Sequence, residues 1–168
     1  DGNNAARYIG GLLMTGAEDG AFTSTTTSPR PTGLALDSSN NIYMIGPTGM
    51  GFLKKLSSTG VVDTAFASAV SGKITTYAPT ALAVNSNNVY VVGDFTGRVK
   101  KFSSAGVEDT TFNTNTATAA LPTGALTVVV QADGKVIVGG SFTAKLIRLN
   151  TDGTIDTTFS YDAATGGT

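Results

Sequence analysis

Acid–base chemistry in this chain would have to come from carboxylates, because its 168 residues contain no His and no Cys. That absence removes imidazole bases, thiolate nucleophiles, disulfides and the usual zinc ligands together. A glycosidase needs two carboxyl groups flanking one bond, and the chain has only Glu18 and Glu108 besides its Asp residues. The two Glu occupy one position of a repeated motif, which makes them repeat background rather than an acid and its partner. Asp19, Asp63, Asp109 and Asp156 recur in the same way. A catalytic group is needed once, so recurrence points to structure. An Asp three residues after a turn Gly can accept backbone N–H bonds and fix that turn. Residues 150–156 (NTDGTID) space their oxygens somewhat as calcium loops do. The equivalent segments 57–63 and 103–109 lack the middle acid, which favours a hydrogen-bonded turn, and no metal, cofactor or catalytic residue is assigned.

The motif itself appears four times, as GLLMTGAEDGAF (11–22), KLSSTGVVDTAF (55–66), KFSSAGVEDTTF (101–112) and RLNTDGTIDTTF (148–159). Each copy places an apolar residue four before a Gly, an Asp three after it and a Phe three after that. Gly60, Gly106 and Gly153 are the motif glycines of the last three copies. Phe22, Phe66, Phe112 and Phe159 are spaced by 44, 46 and 47 residues. Gly46, Gly93 and Gly140 give an independent ladder, 47 apart twice over. A period of this size marks a repeat architecture. The Phe residues read as core anchors between sheets.

The elements between the motifs are short strands. Segments 33–36 and 42–46 flank a polar turn at 38–41, and 52–56 forms a third strand. The plan returns at 81–84 with 89–93, and at 126–130 with 136–140, the last pair joined by Ala-Asp-Gly, a strong hairpin signal. The middle strands, VYVV at 89–92 and VIV at 136–138, are apolar on both faces, whereas a strand with one wet face would alternate. Each small sheet must therefore lie between others, and such sheets packed face to face every 40-odd residues make a β-propeller. No stretch shows sustained apolar spacing of helical period. The expected class is all-β, with repeats of about 46 residues: a partial blade and connection at 1–32, blades at 33–66, 67–112 and 113–159, and a linker at 160–168.

Composition excludes several functions. A net charge of −1 without blocks of like charge argues against nucleic acid, which needs clustered Lys and Arg. The only pairs, Lys54 with Lys55 and Lys100 with Lys101, share one repeat position and read as a solvated strand edge. The longest apolar runs are far too short to insert into a membrane as helices. Low charge and abundant Thr, Ser, Ala, Asn and Gly suit an exposed β-rich surface protein, and the lack of Cys fits an extracellular or virion setting.

The strand pair ALTVVVQADGKVIVGGSF (125–142) with 148–159, and less closely 81–112, resembles the delta-60 repeat β-propellers. The resemblance spans roughly 33–159 and weakens in the first unit, where Gly46-Pro47-Thr48 stands in place of the later Gly-x-Phe-Thr. It implies a non-catalytic structural or binding module of a phage virion, such as a tail fibre or decoration protein, or of a secreted bacterial surface. A bacterial adhesin or lectin that binds host-surface glycan is the alternative. Sialidase-type propellers carry an arginine cluster and Trp-bearing boxes, and this chain has four scattered Arg and no Trp. The partners implied are other copies or other subunits of a surface assembly. Three full units and a leading fragment do not close a known ring, so the chain is expected to be a slice of a longer array or to complete its ring with another copy; a triangular prism of three sheets is the remaining closure. The most variable stretches, 46–51, 94–98 and 141–145, are the recognition loops to expect on such a scaffold. Tyr43, Tyr77, Tyr90 and Tyr161 could stack on sugars, but Tyr43 and Tyr90 are equivalent positions and read as packing.

Overall fold

The computed structural model of the chain describes residues 20–22, 30–47, 53–75, 77–85 and 87–160. They form three antiparallel three-stranded meanders: β1 (Gly33–Leu36), β2 (Ile42–Ile45) and β3 (Leu53–Leu56); β4 (Pro79–Val84), β5 (Asn88–Gly93) and β6 (Val99–Ser103); β7 (Ala125–Val130), β8 (Val136–Gly140) and β9 (Leu146–Leu149). The order within each sheet follows the chain. This is an all-β set of propeller blades, and the middle strands of the first two are as enclosed as their double-sided apolar pattern requires: Tyr43, Met44, Ile45, Val89, Val91 and Val92 are all fully buried, whereas in β8 Val136 and Val138 are buried and Ile137, on the other face, is half-buried.

Register fixes two faces per sheet. Tyr43 and Ile45 of the first sheet meet Val89, Val91 and Phe102 of the second, with Phe66 and Val70 between them. Tyr90, Val92 and Val99 leave the other face of the second sheet and meet Val128, Val136, Val138 and Leu149 of the third, with Phe112 between. The middle sheet is thus sandwiched. Phe22 caps the far side of the first sheet against Ile42, Met44 and Leu56. Tyr43 meets Phe66 edge-on at 5.6 Å and Tyr90 meets Phe112 likewise at 5.8 Å, a geometry that adds attraction beyond simple burial.

Two short helices stand where the sequence, lacking helical periodicity, predicts none. α1 (Thr64–Val70) and α2 (Thr110–Thr118) each begin at a motif Asp. Their apolar signal is one residue deep. Each buries its Phe plus the residue four on, Val70 in α1 and Thr116 in α2, too little for a helical periodicity to register. What makes them helical is the cap and the tertiary seat: Asp63 Oδ1 accepts the Phe66 N–H at 2.9 Å, and Asp109 Oδ1 accepts that of Phe112 at 3.0 Å. Thr116, fully buried, donates its hydroxyl to the Val99 carbonyl at 3.0 Å. The unit boundaries drawn after 66 and after 112 fall inside these helices.

Candidate functional site

In the copies at 55–66 and 101–112 the motif is a turn, a helix-capping Asp and a buried Phe that joins neighbouring blades; in the copy at 148–159 no helix follows the Asp among the described residues and Phe159 is half-buried. The turn folds back on its strand through the bridges Leu56 to Val62, Phe102 to Glu108 and Leu149 to Ile155. Gly60, Gly106 and Gly153 all hold positive φ, between 83° and 88°, a region that side chains disfavour. At Gly106 and Gly153 the space is also occupied. A Cβ on Gly106 would lie 3.1 Å from the Phe66 carbonyl oxygen, and one on Gly153 only 2.5 Å from that of Phe112. The glycine of one motif therefore seats the Phe of the preceding one. Gly93 and Gly140 have a different reason, since the Phe95 and Phe142 rings lie over their Cα atoms, 2.7 and 2.5 Å from where a Cβ would stand. Gly46 is buried at the end of β2, while residues 48–52, where the first unit loses its Gly-x-Phe-Thr pattern, lie outside the described residues. Asp19 and Glu18 lie outside them too.

The carboxylates are committed to this framework. Asp63 and Asp109 also pair with Lys55 at 3.6 Å and Lys101 at 2.8 Å. Those lysines are not the solvated edge that their sequence suggested. Their side chains are only 17% and 14% exposed and run across the rings of Tyr43 and Tyr90 at 5.6 and 5.9 Å. The long aliphatic stem covers the aromatic core while the ammonium reaches its Asp. Partial burial pushes the Asp109 carboxyl up, but hydrogen bonds from Lys101 and the Phe112 N–H outweigh it and leave it below its ordinary value. Asp156 has no helix after it among the described residues. Its Oδ2 accepts from Lys135 at 2.8 Å and Arg148 at 2.9 Å, and its Oδ1 accepts from the Thr158 N–H and hydroxyl. The Lys135 and Thr158 hydrogen bonds hold this carboxyl far below the usual range.

Glu108 lies beside a shallow cleft of about 460 Å³ lined by Lys100, Thr110, Asn113 and Ala117 among others. It accepts from Lys100 at 3.0 Å and Asn113 at 2.9 Å, and Lys73 stands 3.7 Å away. Burial raises its pKa, yet the Lys100 and Asn113 hydrogen bonds prevail and lower it. A general acid near neutral pH needs the opposite shift. These carboxylates are anions built into ion pairs. The 150–156 segment is a hydrogen-bonded turn, in which Asp152 Oδ1 accepts the Thr154 N–H and hydroxyl. Among the described residues no three acidic, His or Cys side chains gather as a metal site.

The loops at 94–98 and 141–145 share one frame. Arg98 and Lys145 both take left-handed φ, 57° and 59°, and their N–H groups close turns over Phe95 and Phe142. The first loop is tied to the next blade, since Asp94 Oδ1 accepts the Gly124 N–H at 3.0 Å. Tyr77 is exposed; Tyr161 lies outside the described residues. A second cleft, of about 560 Å³, opens between the β4–β5 and β7–β8 turns, lined by Asn85, Asn87, Asn88, Val130, Gln131 and Ala132. No sequence signal singled it out, because Asn and Gln in polar turns are commonplace.

Three stacked meanders stitched by a recurring Gly–Asp–Phe motif define a repeat of β-propeller type. Residues 131–159, which contain the fourth motif and the strands β8 and β9, match a family described as "Domain of unknown function (DUF5122) beta-propeller". Comparison with curated proteins gave no match.

Proposed function

We propose that the chain is a non-catalytic structural and binding module of an exposed surface assembly, in the manner of the delta-60 repeat propellers, with a phage tail fibre or decoration protein as the leading setting. The observation that carries the reading is the engagement of Asp63, Asp109, Asp156 and Glu108 in framework hydrogen bonds and ion pairs. Assembly with other copies or subunits is supported by apolar surface on the outer sheets. Leu34 and Leu36 are 54% and 57% exposed on the first, and Val129 is 57% exposed on the third. Leu82 and Val84, which hold the register positions of Leu34 and Leu36 in the second sheet, are partly buried against its neighbour. The test is native mass measurement of the particle that contains the chain, together with turnover assays on chromogenic glycosides. The expected result is incorporation into a larger assembly without turnover. Hydrolysis that disappears in Glu108→Gln or Asp109→Asn would overturn the non-catalytic reading.

A second reading, a secreted adhesin or lectin for neutral glycans, is favoured by the carboxamide-lined cleft between the β4–β5 and β7–β8 turns. Binding of the isolated chain to a glycan array separates it from a purely structural role.

A further inference from the structure

The first sheet has only part of the join that the second sheet has complete. Leu34 and Leu36 of β1 hold the register positions of Leu82 and Val84 of β4, on the face that receives a neighbouring sheet. On the second sheet two elements cover that face. Phe66 packs with Val89, Val91 and Phe102, while the hairpin β1–β2 covers Leu82 and Val84. The hairpin lies close, since a Cβ on Gly33 would stand 3.1 Å from Leu82 Cδ2. On the first sheet only the Phe is present among the described residues. Phe22 rests on Ile42, Met44 and Leu56, which hold the positions of Val89, Val91 and Phe102 and are buried with it. Leu34 and Leu36 stay more than half exposed. They pair across the ladder with Met44 and Ile42, so the open patch is continuous with the contact that Phe22 already makes.

We infer that this patch is the docking site for a β-hairpin of a partner protein, two antiparallel strands in the place that β1–β2 takes on the second sheet. This rests on the surface-assembly reading and names the element that a partner supplies to it. The chemistry of the hairpin follows from the existing join. It needs small residues at the positions of Gly33 and Ala35, where its backbone nears the leucines, and bulky apolar ones at those of Tyr43 and Ile45. A second copy of this chain does not fit. Its β1–β2 and β4–β5 hairpins are packed against the next sheet. Its β7–β8 hairpin belongs to a sheet whose motif ends in Phe159, and that residue would need the seat that Phe22 holds. Removing two exposed leucines from water drives the docking, and the hairpin, marginal alone, is ordered by it.

The experiment titrates the full chain, by calorimetry, with a synthetic peptide of residues 33–46. Cysteines added at its two ends close it into a hairpin through a disulfide, so that it does not have to fold unaided. In the chain this segment is the one that covers Leu82 and Val84, and it should bind the wild type saturably. Leu36→Asp should weaken binding at least about tenfold, the loss expected when a buried leucine contact is replaced by a charge. Val129→Asp, on the third sheet, should leave binding unchanged. Both positions are exposed, so both variants should melt with the wild type. Equal binding to Leu36→Asp, or no binding of the closed hairpin to the wild type, would overturn the docking site. Self-association of the wild type that Leu36→Asp abolishes would overturn it too, by making a second copy the occupant. A native mass that still places the chain in a larger assembly would then leave the assembly reading standing.

Discussion

The sharpest test of the stitched-blade architecture is Phe112→Ala. The ring is fully buried, packs edge-on against Tyr90 and lies under the Lys101 ammonium at 5.4 Å, between the second and third sheets. Removing a buried Phe side chain typically costs about 3–5 kcal/mol, and an edge-on aromatic partner about 0.5–1.5 kcal/mol more. Its backbone also receives the Asp109 cap and supports Gly153 of the next motif, so collapse around the cavity is restrained and about 4 kcal/mol is expected. Phe112→Leu keeps much of the volume and should cost about 1.5 kcal/mol. Urea unfolding reads both as midpoint shifts at constant slope. Against a total of about 5–15 kcal/mol for a domain, the Ala variant should lose between about a quarter and most of its stability. A loss below about 1.5 kcal/mol for Phe112→Ala would mean that the Phe ladder does not hold the sheets together.

Three further outcomes follow from the same geometry. Gly153→Ala forces left-handed φ on a side chain and a clash with the Phe112 carbonyl, so it should cost more than about 2 kcal/mol. Gly72→Ala, at φ 70° with nothing nearby, should cost only about 1 kcal/mol, and equal losses in thermal melts would refute the crowding argument. Asp109→Ala removes the α2 cap and the Lys101 partner and should cost about 1 kcal/mol, detected by the same unfolding assay. Tyr43 is buried beside Asp37, and burial with that negative charge pushes its phenol up to about 12. A raised folded value means that stability is present below the free phenol's 10 and is lost as pH rises toward 12. Glu108 and Asp109 are shifted the other way, so their contribution is present above the unfolded values of 4.5 and 3.8 and is lost as pH falls below them. Ultraviolet titration of the tyrosines and melting curves from acid to alkali check both limbs.

The three meanders were legible in the sequence because β-branched runs and turn residues fall at a fixed period, and strands differ from their read bounds by a residue or two. The helices were not, because Phe66 with Val70 and Phe112 with Thr116 give one buried pair each. Yet an Asp cap before Ala-rich or Thr-rich sequence was a usable signal. The lysine pairs misled for a different reason. Charge in a strand reads as solvent exposure, while Lys55 and Lys101 bury their stems and expose only enough to reach Asp63 and Asp109.

The seating of Phe66 and of Phe112 by the glycine of the following motif makes the unit between them both a socket and a plug. Gly106 receives Phe66 and Gly153 receives Phe112, so the join does not depend on which two units meet. The length between one motif Phe and the next varies, 44, 46 and 47 residues, while the Gly, Asp and Phe inside the motif keep one spacing: the join is held fast and the blade between joins can change.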